Sequence, residues 1–241
     1  MAFSFTTFKK RRNRNNDTMK FLGFYPETVA ARVRATAAPP RLLTLGQSLG
    51  FGAGGFCLII VIVMTIAALT DTLLKKYLGD KAGYVVNALL FILMAGGVFR
   101  RLVIAPAPVF RAYLLFAAAF FLYDAAWTAT YRPFRNMLGE WLGSLAGGTG
   151  LGLILATVFD APKQAVKAIL ILCIGSMAGY FGGKFLHQYI PGIAGAMVWG
   201  AVYGLGMGAG LGYALYACQE PARQRLKTHS TSKASSTRPC S

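Results

Sequence analysis

Asp124 is a carboxylate set inside an apolar run, between Leu122-Tyr123 and Ala125-Ala126. It stands about six residues from the end of that run, roughly 9 Å at 1.5 Å per residue. An ionised group at mid-bilayer costs on the order of 2.5–3.5 kcal/mol, less towards the edge, so this carboxylate is expected to face protein or water. Trp127, Thr128 and Tyr131 follow at spacings of three, four and seven, which puts them on its side of a helix. Two chemistries fit that stripe. One is a cation or proton site near the mouth of a pathway. The other is an ion pair that locks helices together, with Lys184, Arg132 or Arg135 as the cation. Asn87, in another apolar run, reads as a hydrogen-bonding group between helices. Glu140, Trp141 and Asp71 fall at the ends of such runs and read as interface groups.

Other reactive residues lead nowhere. Gly46-Gln47-Ser48-Leu49-Gly50 spells GxSxG, which activates a serine only on a strained strand-to-helix elbow beside a histidine and an acid. Here it opens an apolar helix, and packing accounts for its glycines. Ser144 also lies in an apolar run, as in rhomboid-type intramembrane proteases, but those need a histidine in the sixth span, and Ile190 to Cys218 holds none. The two histidines are His187 and His229, the latter in the polar tail, so a bis-histidine haem inside a bundle is excluded. Cys57, Cys173, Cys218 and Cys240 form no CxxC pair, no disulfide is expected, and Cys218 reads as a buried thiol or an acylation site. There is no metal-ligand spacing and no Walker A sequence. No enzyme, cofactor or metal is expected.

The elements that must position these groups are membrane helices. Of the 241 residues 55% are hydrophobic and 14% charged, against about 25% charged in an ordinary soluble domain, and mean hydropathy is +0.50. At roughly 20 residues per crossing, spans are expected near 46–70, 84–99, 110–130, 138–159, 166–186 and 192–217. Gly192, Ala196, Gly200, Gly204, Gly208 and Gly212 recur every fourth residue, and so do Gly46-Gly50-Gly54, Gly139-Gly143-Gly147 and Gly175-Gly179-Gly183. That spacing makes a ridge without side chains against which another backbone can press. The expectation is an all-α polytopic transmembrane bundle with glycine-zipper packing over 45–218, between a basic segment 1–44 and a basic, disordered tail 219–241.

Net charge is +17, and nineteen of the 25 Lys and Arg fall on the side of the N-terminus when six spans are drawn. The positive-inside rule then puts both termini in the cytoplasm, and a plasma or inner membrane is the expected location. Lys9, Lys10, Arg11, Arg12 and Arg14 are read as an anchor on anionic lipid headgroups rather than a nucleic-acid patch. Residues 26–37 are expected to form a short interfacial helix ended by Pro39-Pro40.

Span one opens Leu45-Gly46-Gln47-Ser48-Leu49-Gly50 with Ala53-Gly54-Gly55 after it; span four opens Leu138-Gly139-Glu140-Trp141-Leu142-Gly143 with Ala146-Gly147-Gly148. A weaker echo pairs Gly96-Gly97-Val98-Phe99 with Gly182-Gly183-Lys184-Phe185. If both echoes are copies, two three-helix halves run in opposite directions, the inverted-repeat plan of many transporters. The doubled glycines are similar to those of the trimeric intracellular cation channels, where an Arg-Asp pair follows. Arg100-Arg101 and Leu186-His187 stand there instead, and nothing is carried over. The function expected from sequence is a small ion or solute channel or carrier. The alternative is a non-catalytic assembly subunit that docks partner helices through its glycine ridges, as a homo-oligomer or in a larger membrane complex.

Overall fold

The computed structural model describes residues 22–36, 40–78, 80–104 and 108–236, with side chains at 70–82, 84 and 229–236 outside the description. The Lys9–Arg14 anchor therefore lies outside the described residues. Among those described there are helices and no strand: α1 Pro26–Ala35, α2 Leu45–Leu78, α3 Asp80–Leu102, α4 Val109–Tyr131, α5 Met137–Val158, α6 Ala165–His187, α7 Gly192–Cys218 and α8 Glu220–Ser236. Helices α2 to α7 supply six segments long and apolar enough to cross a membrane, running Leu45–Leu69, Val85–Leu102, Val109–Tyr131, Met137–Val158, Pro162–His187 and Gly192–Cys218. The chain is an all-α polytopic bundle, an integral membrane protein by the length and apolarity of these helices. Its outer surface agrees, with Leu58, Phe110, Val166 and Ile193 all at 60% exposure or more.

Local chemistry starts and stops the helices. At the head of α2 the Thr44 N–H donates to Gln47 Oε1 (3.0 Å) while the Gln47 N–H donates to Thr44 Oγ1 (3.2 Å), a reciprocal cap. Asn136 caps α5 by accepting from the Gly139 N–H at 3.1 Å. Pro26 sits in the first turn of α1, where a missing N–H costs nothing. Between α6 and α7 the chain turns at Gly192, whose φ of 70° suits a residue without Cβ.

The six long helices close into a ring in chain order: each of α2 to α6 packs on its successor, and α7 returns to α2. Helix α7 makes the heaviest contacts, with α2 on one flank and α6 on the other. The ring's centre is filled by aromatic side chains. Phe56 of α2, Phe91 and Phe99 of α3, and Phe116 and Phe120 of α4 touch in a chain of ring pairs with centroids 4.8–6.1 Å apart. Within this filling remains an apolar cavity of about 50 Å³ bordered by Tyr123, Tyr203 and Met207.

At one end α1 and α8 pack together, so both terminal segments lie on the same side of the bundle. Val29, Ile104 and Ala222 form a small apolar cluster there, and Arg225 pairs with Glu27. Gln219 is 3% exposed and ties the end of α3 to the last turn of α7. Its Oε1 accepts from the Ile104 N–H (2.6 Å), and its Nε2 donates to the carbonyls of Leu102 and Leu215 (3.0 Å each). Burial, then the Asp160 and Glu27 carboxylates, push the Tyr25 hydroxyl pKa up; partial burial, then the Arg111 charge, pull the Arg32 guanidinium pKa down. Where disorder is expected over 219–241, the described part, Glu220–Ser236, is helical, and 237–241 lie outside the described residues. The chain continues as α8, whose first turns are fixed by Arg223, 6% exposed, bonded to Glu220 and to the Tyr216 carbonyl and lying 3.7 Å over the Tyr216 ring. Composition alone reads that segment as polar. It does not show that Ala222 and Leu226 meet α1.

Candidate functional site

The half of the ring away from α1 and α8 carries the buried Glu140, Ser144 and Ser176. It is built by aromatic rings laid on glycines. Helices α4 and α5 run antiparallel, so successive turns of one meet successive turns of the other in reverse order. Tyr123 covers Gly147, Trp127 covers Gly143 and Tyr131 covers Gly139; a Cβ at any of these glycines would meet the ring at 2.7–3.2 Å. Both partners repeat every fourth residue, which is why the ladder stays in register over three turns. Between α6 and α7 backbone approaches more closely still. A Cβ at Gly179 would lie 3.0 Å from the Tyr203 Cα, and one at Gly183 would lie 3.1 Å from the Trp199 Cα.

These contacts bring four hydroxyl-bearing residues and one ion pair together. Tyr123 Oη shares hydrogen bonds with Ser176 Oγ at 2.8 Å and Tyr203 Oη at 2.9 Å, joining α4, α6 and α7. Tyr180 packs edge-on against Trp199 and Tyr203 and lies beside Trp127. Lys184 Nζ donates to both oxygens of Glu140, at 2.7 and 2.6 Å, tying α6 to α5; the Lys184 side chain is 44% exposed and that of Glu140 11%. Trp141 stacks on Phe181 at 4.6 Å. Chemically this is an aromatic-walled network: the Tyr123, Ser176 and Tyr203 hydroxyls exchange hydrogen bonds, and Glu140, the one buried carboxylate among the described residues, has its cation. Among the described residues no three His, Cys, Asp or Glu side chains converge as a metal site needs.

The sequence-derived residues are distributed differently from the expectation. Lys184 takes Glu140 as its partner, not Asp124. Asp124 itself is exposed on the outer face of α4, one residue on from the inward-facing Tyr123, and has no hydrogen bond or ion pair among the described residues. The carboxylate expected to face protein or water faces the surroundings of the bundle. Thr128 is half-buried on the same helix. Asn87 is half-buried in α3, and its Oδ1 is buried without a partner, as is Ser144 Oγ in α5. Cys218 is fully buried and closed to acylation in this fold.

The glycines divide into two groups. Gly139, Gly143, Gly147, Gly175, Gly179, Gly183, Gly200, Gly204, Gly208 and Gly212 all sit against neighbouring helices of the same chain. The ridge of α7 meets α2 through Ile60 and Met64 at Gly200, Cys57 at Gly204, Gly52 at Gly208 and Ser48 at Gly212. Ser48 Oγ donates to the Gly212 carbonyl at 2.8 Å, which is the role of the serine in the GxSxG string. Gly46, Gly50 and Gly54 meet nothing within 4 Å. Position 52 is two residues, roughly 200°, from 50 and 54 on the helix, so the face of α2 that packs on α7 is opposite the ridge read from the sequence.

Sequence reasoning missed Tyr123, Ser176 and Tyr203. The signal was present: Tyr123, Trp127 and Tyr131 carry the same four-residue spacing as Gly139, Gly143 and Gly147, and two such stripes joined by a short turn fit one another. The chain matches no protein-family model, no curated protein and no solved structure.

Proposed function

We propose that this integral membrane protein is a non-catalytic assembly subunit that docks a partner membrane helix on the outer face of α4. The supporting observation is Asp124. It is exposed, unpaired among the described residues and seven residues, about 10 Å, from the last residue of α4. A carboxylate facing lipid at that depth is costly enough to mark a functional contact, and Asp is too short to reach the interface as Lys or Arg would. Phe121, one turn before it and 56% exposed, and the exposed Ala125 border it, so the carboxylate stands in an apolar surface that a second helix would cover. The partner is accordingly a helix with a Lys, Arg or His, or a strong hydrogen-bond donor, at matching depth. The glycine ridges of α5, α6 and α7 are taken up within the chain, so docking through those ridges is replaced by docking through α4.

Membrane extracts in a mild detergent, sized for wild type, Asp124→Asn and Asp124→Leu, test this. The expected result is an assembly larger than one chain for wild type, weakened by Asn and reduced to the single chain by Leu. Identical sizes for all three would refute it.

A second reading, a carrier for a small solute, draws on the closed ring and the Tyr123–Ser176–Tyr203 network at its centre. The 3+3 inverted repeat belongs with it and would make α2 on α7 and α5 on α4 equivalent seams, although the matched glycines differ in their contacts: Gly50 meets nothing within 4 Å, and its counterpart Gly143 lies under Trp127. In this reading the phenylalanine filling must move to open a path. Flux into liposomes that is lost in Tyr123→Phe with folding intact would favour it over docking.

A further inference from the structure

The open glycines of α2 border a groove. It runs between α2 and α3, encloses about 1010 Å³, and is floored by Gly50, Gly54 and Gly97. Its long wall is apolar, including Leu58 and Met94, and Arg41, Arg100 and Arg101 also line it. These arginines stand just before α2 and in the last turn of α3, at the end of the bundle where α1 and α8 pack. All three are exposed, and among the described residues none has a hydrogen bond or ion pair and no carboxylate lines the groove.

We propose that this groove holds one anionic phospholipid, its phosphate on the arginines and an acyl chain along the glycines. Charge complementarity selects the headgroup: guanidinium forks bind phosphate oxygens bidentately and remain charged at the membrane surface. The length fits as well. From Gly50 to Leu58 the groove follows eight residues of helix, about 12 Å, close to half of a hydrocarbon core roughly 30 Å thick, the depth of one leaflet. Glycine at 50 and 54 leaves the floor without side chains where the chain would lie. A second copy of the protein is a poorer occupant, since a two-fold contact over this face would bring two arginine triads together. A free anion would use the arginines and leave the apolar floor unexplained.

The test is native mass spectrometry of the full-length protein released from detergent micelles doped with equal amounts of phosphatidylglycerol and phosphatidylcholine. Wild type is expected to retain one phosphatidylglycerol per chain in preference to phosphatidylcholine. Removing the arginines singly as Arg→Gln lowers that affinity about five-fold each, and R41Q/R100Q/R101Q about a hundred-fold. Gly54→Leu, at a position where an added Cβ meets nothing within 4 Å, abolishes retention with all arginines present. Should that variant misfold, Gly54→Ala takes its place with partial loss. R132Q/R135Q, at the other end of the bundle, leaves retention unchanged. The proposal is overturned if Gly54→Leu and Gly54→Ala keep the lipid, which would put it on the arginines alone. Displacement by millimolar inorganic phosphate would make the site one for free anions. A dimer mass in wild type that Gly54→Leu converts to monomer would make a second copy the occupant.

Discussion

Gly208→Ala and Gly50→Ala change the same residue type on two helices that both belong to four-residue glycine series, and the structure assigns them opposite outcomes. At Gly208 the new methyl would overlap the Gly52 carbonyl oxygen and lie 2.8 Å from both the Gly52 carbonyl carbon and the Phe56 Cβ. Two of these three atoms are backbone, so no rotamer change relieves the clash, and α7 must move away from α2 by something near 1 Å. Overpacking of this kind costs about 1–3 kcal/mol. The same movement stretches the 2.8 Å bond from Ser48 to the Gly212 carbonyl, and interhelical hydrogen bonds in membranes contribute about 0.6 kcal/mol on average. Against this, alanine is the better helix former by about 0.8–1 kcal/mol, a figure from aqueous helices. The net expectation is a loss of about 1–3 kcal/mol for Gly208→Ala. Gly50→Ala meets nothing within 4 Å and should be neutral or slightly stabilising. Reversible unfolding in mixed anionic and non-ionic micelles, followed by tryptophan fluorescence, measures both. Ser48→Ala should be non-additive with Gly208→Ala, because the clash has already weakened the bond the serine makes. Equal losses at 208 and 50, or full additivity with Ser48→Ala, would refute the packing register of α2 on α7.

Two further substitutions probe one end of the bundle and its interior. Gln219→Leu leaves the Ile104 N–H and the Leu102 carbonyl without the partners they have now, at about 1–3 kcal/mol for each group left buried and unpaired; faster proteolysis near residues 102–104 is the local readout. Tyr123→Phe removes the hydroxyl at the centre of the network and so both of its bonds. It should destabilise more than Tyr203→Phe or Ser176→Ala, each of which removes one, with unfolding midpoints as the measure.

The helices were legible because their signal is long: each span is a sustained apolar run, and composition reports that directly. The glycine ridges of α5, α6 and α7 could likewise be read as contact surfaces. What a four-residue period does not say is which ridge finds a partner. Gly46, Gly50 and Gly54 have the same spacing as Gly200, Gly204 and Gly208, but α2 turns Ser48 and Gly52 towards α7 instead, and only the position of α7 decides that. Asp124 shows the same limit in electrostatics. A carboxylate in an apolar run demands a partner, and the nearest cations by topology were reasonable choices, but a rotation of one residue separates the inward Tyr123 from the outward Asp124. Lys184, one of three cations open to Asp124 from sequence, meets Glu140 instead; at the head of α5 Glu140 reads as a surface group until α6 is laid beside it. The helix over Glu220–Ser236 is hidden from sequence for a related reason, since contact with α1 is not a property of its own composition.

Closure of the ring by α7 also sets an order of events during synthesis. The surface of α2 around Ser48 and Gly52 is made early, but the helix that covers it ends at Cys218, so that surface waits in lipid while four further spans are threaded. Helix α6 waits as well, with Gly175, Gly179 and Gly183 uncovered. Because α7 has glycine contacts on both flanks, its arrival seals two seams in one step, and a nascent chain stopped short of residue 218 exposes both. Such a chain is an open arc, the species that membrane quality control would meet first and the one most prone to pair with another unfinished copy.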